Sequence, residues 1–251
     1  YVEFLGDQGR DVQLVYRLLT QRDLMFIGPQ TSVGNMYLGP WYYYLMAPFL
    51  LLFDFNPIGP VIMVILFNLA TIWLLWKVVK EWFDGTTGLI AAFLFALSPA
   101  AIHYSTFSWN PNIMPFFSLL SIWLIWRIWQ KNEYKKLPFL AASLTMVLNS
   151  HYLGILLFPI IIFFWFLGFL KTKSDKNLKK FYILYSVFCI LIFFLLMSPL
   201  LLFDLKHNFV NFNALRQFLS NNQAAVNFNP YQGFLKIPKV ANQLISTFLA
   251  G

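Results

Sequence analysis

Long apolar runs separated by short polar segments set the pattern of this chain. Residues 57–76, 89–107, 113–126 and 181–203 are each a clear run, and residues 137–170 form a fifth. A helical crossing takes about 20 apolar residues, so each of the first four is an expected span. The 34 residues of the fifth must hold two. That leaves about 16 residues per crossing, so the polar turn Asn149, Ser150, His151 and Tyr152 should sit below the membrane surface, buried in protein or lining a cavity.

Ahead of these runs the period changes. Residues 8–24 place Val12, Val15, Leu18 and Leu19 on one side and Arg10, Arg17 and Arg22 away from it, which predicts an amphipathic helix lying in the membrane interface. Asp7 stands just before it, where an aspartate can cap the free backbone amides or serve as a chemical group. Residues 27–35 form a loop marked by Gly28, Pro29 and Gly34, and residues 36–53 are apolar again and carry Trp41, Tyr42, Tyr43 and Tyr44.

Composition and charge turn the pattern into a topology. With 59% hydrophobic, 20% aromatic and 11% charged residues, the chain is an all-α integral membrane protein. Its net charge of +8 does not indicate nucleic acid, because the basic residues sit in three clusters between apolar runs. These are Lys77 and Lys80, then Arg127, Lys131, Lys135 and Lys136, then Lys171, Lys173, Lys176, Lys179 and Lys180. The positive-inside rule places all three in the cytoplasm, and every polar loop between them outside. Counting residues 36–53 as a span would break that parity, so they are expected to form an outward interfacial or re-entrant helix, with Pro40 and Pro48 as kinks.

Four polar segments then share the outer face: residues 6–11, residues 98–112 with His103 and Asn110, the turn at His151, and residues 204–216 with Lys206, His207 and Asn208. His103 and His151 each suit a hydrogen-bonded structural role, and no spacing of His, Asp and Glu makes a zinc site. Cys189 lies within an apolar run with no partner in the chain and is read as a small core residue.

Asp7 followed by Arg10 and an amphipathic helix resembles the first external loop of the GT-C membrane glycosyltransferases, most closely the group of protein O-mannosyltransferases and lipid A aminoarabinose transferases (family 39). Leu38-Gly39-Pro40-Trp41-Tyr42-Tyr43-Tyr44-Leu45 resembles the Lys-Pro-Pro-Leu-Phe-Tyr-Trp-Leu type of motif that follows in that loop, with Leu38 where relatives carry a lysine on the lipid phosphate. The segment from Ser98-Pro99 to Trp109-Asn110-Pro111 resembles the next external loop. The resemblance implies a GT-C-like helical bundle in the plasma membrane, with an outward site that moves a sugar from a polyprenyl-phosphate donor to a glycan, lipid or protein hydroxyl with inversion. It implies Asp7 as base and Arg10 on the lipid phosphate, with Asp11, Trp41, Tyr42, Tyr43, His103, Asn110 and His151 as pocket candidates. No cofactor is required by it, and a divalent metal stays open.

The expected organisation is a first external loop over 1–56, six spans over 57–205, and an external loop leading to a further helix over 206–251. Residues 240–250 begin either another span or an interfacial helix, and the Asn-rich stretch through Asn221, Asn222, Gln223, Asn227 and Asn229 is expected to be a loop or the start of a small domain. A chain opening at Tyr1 without methionine and closing in an apolar run is expected to be a fragment. Two other classes compete: a polymerase or ligase using pyrophosphate-linked glycans, which shares the outward site, and a transporter or flippase. A transporter needs ionisable groups in mid-span, and here the span centres are almost free of charge.

Overall fold

The computed structural model describes residues 4–32, 36–220 and 230–250; Gly34, Asn35 and the Asn-rich stretch Asn221, Asn222, Gln223, Asn227 and Asn229 lie outside the described residues. The described residues are helical, apart from loops and one isolated antiparallel bridge between Gln30 and Tyr37. In order the helices are α1 Gly6–Gln21, α2 Trp41–Leu52, α3 Ile58–Trp82, α4 Gly85–Ala96, α5 Pro99–Ser105, α6 Met114–Lys131, α7 Leu137–Ser150, α8 Phe158–Lys171, α9 Lys176–Lys206, α10 Val210–Ser220 and α11 Pro230–Ala250. Short 3₁₀ turns Asn110–Ile113, Tyr134–Lys136 and Tyr152–Leu157 precede α6, α7 and α8.

Among the described residues four helical segments are long and apolar enough to cross a membrane: Ile58–Trp82, Asn110–Lys131, Tyr152–Lys171 and Lys176–Lys206. The expected straight span over 89–107 is instead a broken pair, α4 and α5, bent by 59°. The break has a local cause. Ser98 caps α5 and Pro99 opens it, and a proline cannot continue the ladder of the helix before it. The two passages expected within 137–170 are α7, with 14 residues, and the 20-residue segment Tyr152–Lys171. At 1.5 Å per residue α7 is about 21 Å long, against a hydrocarbon core of about 30 Å. Such a helix covers only part of the bilayer, and its end carries Asn149 and Ser150, both buried.

The chain builds two packed regions. In the first, Leu74, Val78, Trp123, Ile128, Leu137 and Tyr182 interlock α3, α6, α7 and α9. In the second, Val15 and Leu18 of α1 meet Tyr42, Tyr43, Met46 and Leu50 of α2 and Met63 and Val64 of α3. Helices α8 and α9 bury only Ile161, Gly168, Tyr182 and Ser186 and turn the rest of their apolar surface outward, as helices facing lipid do. Helix α2 is apolar but shorter than the about 20 residues a crossing takes. Its 12 residues start against Asn149 and end beside the start of α3, where Gly59 lies against the Phe49 carbonyl, so both ends of α2 lie at one end of the bundle.

The bundle therefore has two unlike ends. One gathers the C-termini of α3, α6 and α8 and the N-termini of α7 and α9: Arg127 pairs with Glu81 at 2.9 Å and with Glu133, Lys171 Nζ donates to the Trp129 carbonyl at 2.9 Å, and the Tyr134 and Tyr182 rings meet at 5.0 Å. The other gathers α1, α2, the turn after α7 and the C-terminal turns of α9.

Candidate active site

Helix α1 starts two residues earlier than the sequence pattern implies, and Leu5, not Asp7, is its N-cap residue. The Gln8 side chain closes the end by accepting the Leu5 amide at 2.8 Å. Asp7 thus stands inside the first turn, where its charge suits the helix dipole while its side chain remains 59% exposed. The capping role thus belongs to another residue, and the Asp7 carboxylate is left to pair with Arg10. The helix ends at Gln21, because Arg22 adopts a left-handed conformation (φ 58°).

The buried stripe of α1 is Gln8, Asp11, Val15 and Leu18, so a carboxylate occupies a core position. Asp11 is 1% exposed. Its Oδ1 accepts three hydrogen bonds, from Arg10 Nη2 at 2.9 Å, Arg10 Nε at 3.1 Å and the Tyr43 hydroxyl at 2.9 Å. Arg10 Nη1 reaches back to Asp7 Oδ1 at 2.9 Å. One guanidinium therefore bridges two carboxylates, anchored through the buried one. Burial pushes the Asp11 carboxyl up, and the Arg10 charge and hydrogen bonds with the Tyr43 hydroxyl oppose that rise. Burial and the charge of Asp11 push the Tyr43 phenol up as well, which keeps its proton in place as a donor.

Arg10 and Tyr43 also line a cavity of about 350 Å³, walled by the loop through Met25 and Gly28, by Tyr37 and by Phe203 of α9. Phe203 stacks edge-on to Tyr37 at 5.8 Å, and Asn211 of α10 accepts the Tyr37 amide at 2.7 Å. Sequence reading missed this loop as part of the site. Its signal was Gly28: a Cβ there would lie 2.1 Å from the Gly39 carbonyl oxygen, so the loop and the aromatic motif approach too closely for any side chain.

Behind the acid cluster the other candidates are fasteners. The Tyr42 hydroxyl bonds Ser108 Oγ at 2.7 Å in full burial, so Tyr42 and Tyr43 are core residues and not membrane-interface anchors. Trp41 Nε1 donates to the Leu196 carbonyl at 2.6 Å, tying α2 to α9. Asn110 is buried and donates to the Ser150 carbonyl at 2.6 Å, tying the loop before α6 to the end of α7. His151 accepts the Leu153 amide at 3.1 Å, and exposed His103 packs on Tyr104 and Phe107; among the described residues no contact brings either to the acid cluster. Leu38 is buried, so the position that carries lysine in the resembling motif presents nothing to the cavity. Among the described residues no three His, Cys, Asp or Glu side chains gather as a metal site.

Asn149 is the pivot of these contacts. It sits against Gly39, and a Cβ at Gly39 would fall 2.1 Å from Asn149 Oδ1. Gly39→Ala is therefore expected to push α2 off α7 and to lower the apparent melting temperature of the purified protein by on the order of 5 °C or more. An unchanged melting curve would show that the side chain of Asn149 yields freely.

Neither a curated protein nor a solved structure matches the chain. A family model described as dolichyl-phosphate-mannose-protein mannosyltransferase matches residues 38–203. The match runs from the aromatic motif ahead of α2 to the last turn of α9, about two thirds of the chain, and α1 with its acid cluster precedes it.

Proposed function

We propose an inverting sugar transfer for this chain, which belongs to the dolichyl-phosphate-mannose-protein mannosyltransferase family and is a membrane glycosyltransferase of the GT-C kind. The donor is a sugar on a polyprenyl monophosphate, and the acceptor is a hydroxyl on a glycan, lipid or protein at the extracytoplasmic face. The organisation over 57–205 is a six-span bundle in which the broken α4–α5 pair and short α7 complete the crossings. The observation that carries the chemistry is the bridge from exposed Asp7 through Arg10 to buried Asp11, at the bundle end opposite the basic clusters.

In this reading Asp7 takes the proton of the acceptor hydroxyl as its oxygen attacks the anomeric carbon from the face opposite the lipid phosphate. The bond from that carbon to the phosphate oxygen breaks, and its electron pair leaves on the polyprenyl phosphate. Asp11 and Tyr43 fix the guanidinium, which in turn fixes Asp7. A guanidinium has five N–H donors, and three are used here on the two aspartates. Arg10 lines the cavity, and its remaining donors are the group offered to the phosphate as its charge builds. Burial lifts the Asp11 carboxyl, which holds the guanidinium from behind.

The test is transfer of labelled sugar from a panel of polyprenyl-monophosphate donors by the protein in proteoliposomes. Arg10→Ala is expected to raise the KM for the lipid donor about tenfold or more, with Arg10→Lys recovering part of the loss. Transfer only from pyrophosphate-linked glycans would replace this reading with that of a polymerase or ligase. An unaltered donor KM in folded Arg10→Ala protein would remove Arg10 from the phosphate.

A further inference from the structure

The end of the bundle away from the acid cluster holds more charge than the chain itself compensates. Residues 77–180 carry eleven lysines and arginines against four aspartates and glutamates, an excess of seven out of the net +8 of the whole chain. The carboxylates at the centre of this end are already taken. Glu81 accepts from Arg127 Nη1 at 2.9 Å and from Trp123 Nε1 at 2.7 Å, and Glu133 is held by Arg127 and by Lys136 at 3.4 Å.

The lysines around that centre sit on indole rings instead. Helix α6 presents Trp123, Trp126 and Trp129 at successive turns. Lys77 of α3 lies 4.7 Å from the Trp123 ring centre, Lys131 lies 5.6 Å from that of Trp126, and Lys171 of α8 lies 4.9 Å from that of Trp129. None of these three has a carboxylate in an ion pair among the described residues. An ammonium on a ring face keeps N–H donors free on its outer side, and the tryptophans hold it at the level where acyl chains meet headgroups. Uncompensated charge fixed at that depth attracts anions of the same layer.

We propose that this collar of tryptophans and lysines binds the headgroups of anionic phospholipids, with Lys131 and Lys171 as the main contacts and Lys77 as a deeper one. The inference stands on the charge balance and ring geometry and is independent of the transfer reaction.

Native mass spectrometry of the detergent-purified protein, titrated separately with phosphatidylglycerol and phosphatidylcholine, tests it. Phosphatidylglycerol is expected to be retained more strongly. Lys131→Gln combined with Lys171→Gln, both on exposed side chains, is expected to weaken that retention by about tenfold. Lys236→Gln combined with Lys239→Gln on α11 removes the same charge elsewhere and is expected to leave it unchanged. Equal retention of the two lipids, or equal loss from both double variants, would overturn the proposal, the second by reducing the effect to net charge.

Discussion

Asp7→Asn protein is expected to fold as the wild type does and to lose sugar transfer by about a hundredfold to ten-thousandfold, the usual contribution of a positioned base. The substitution is nearly isosteric, and the Asp7 side chain is largely exposed and contributes nothing to the α1–α2–α3 core. An asparagine oxygen still accepts from Arg10 Nη1, so the guanidinium keeps its orientation. Only the ability to take a proton is removed. The loss should therefore fall on kcat, with the KM for the lipid donor little changed, and the apparent melting temperature should stay within a degree or two of wild type. The opposite pattern has a clear meaning. If transfer persists while the melting temperature drops, Asp7 serves the helix dipole and the ion pair, and the base lies elsewhere.

How far this site was legible in the sequence follows from the range over which each residue is decided. Asp7 and Arg10 lie three positions apart and the sequence singled out both, but it placed Asp7 ahead of the helix; their pairing follows from Asp7 standing in the first turn of α1. Asp11 was not. The apolar residues Val12, Val15, Leu18 and Leu19 suggested a stripe centred between them, whereas the packed face is Gln8, Asp11, Val15 and Leu18, rotated toward the polar side. That rotation is set by Tyr43, 32 positions away, which supplies the hydroxyl that lets a carboxylate be buried. The same distance effect hid the burial of Tyr42 and Tyr43, because their partners, Ser108 and Asp11, are visible only after folding.

The fold was more legible where length and charge decide. Basic clusters mark one end of the bundle, and the shortage of residues in 137–170 anticipates the short α7 that carries buried Asn149 and Ser150. The break between α4 and α5 was written in Ser98-Pro99, yet a continuous apolar run masked it, since hydropathy counts side chains and not backbone amides. Gly28 looked like a loop residue and Gly39 like part of the aromatic motif; each is a point where two segments touch with no room for a Cβ. The organising contacts of the site are thus glycine approaches and hydroxyl bonds, which leave little trace in apolar periodicity.

Removing the buried anchor should produce the largest change in stability. Asp11→Ala leaves the Tyr43 hydroxyl without its acceptor in a buried setting and frees two of the three donors of Arg10. An unsatisfied buried donor costs about 1–3 kcal/mol, and losing one member of a pair adds to that, tempered here because Arg10 is 43% exposed. The expected total of about 2–3 kcal/mol corresponds to a fall in apparent melting temperature of on the order of 5–10 °C. Asp11→Asn retains an acceptor for Tyr43 and should cost less. It also separates the two influences on this carboxyl. Burial raises its pKa, so between the ordinary aspartate range and the raised value the folded protein binds more protons than the unfolded chain. Wild-type stability from this group is then present at low pH and is lost as pH rises through that window. Asparagine has no proton to lose, so the melting temperature of Asp11→Asn relative to wild type should move upward from about pH 4 to pH 7. A difference that moves the other way would mean that Arg10 and Tyr43 outweigh burial, making Asp11 an ordinary stabilising ion-pair carboxylate that is fully charged while the enzyme works.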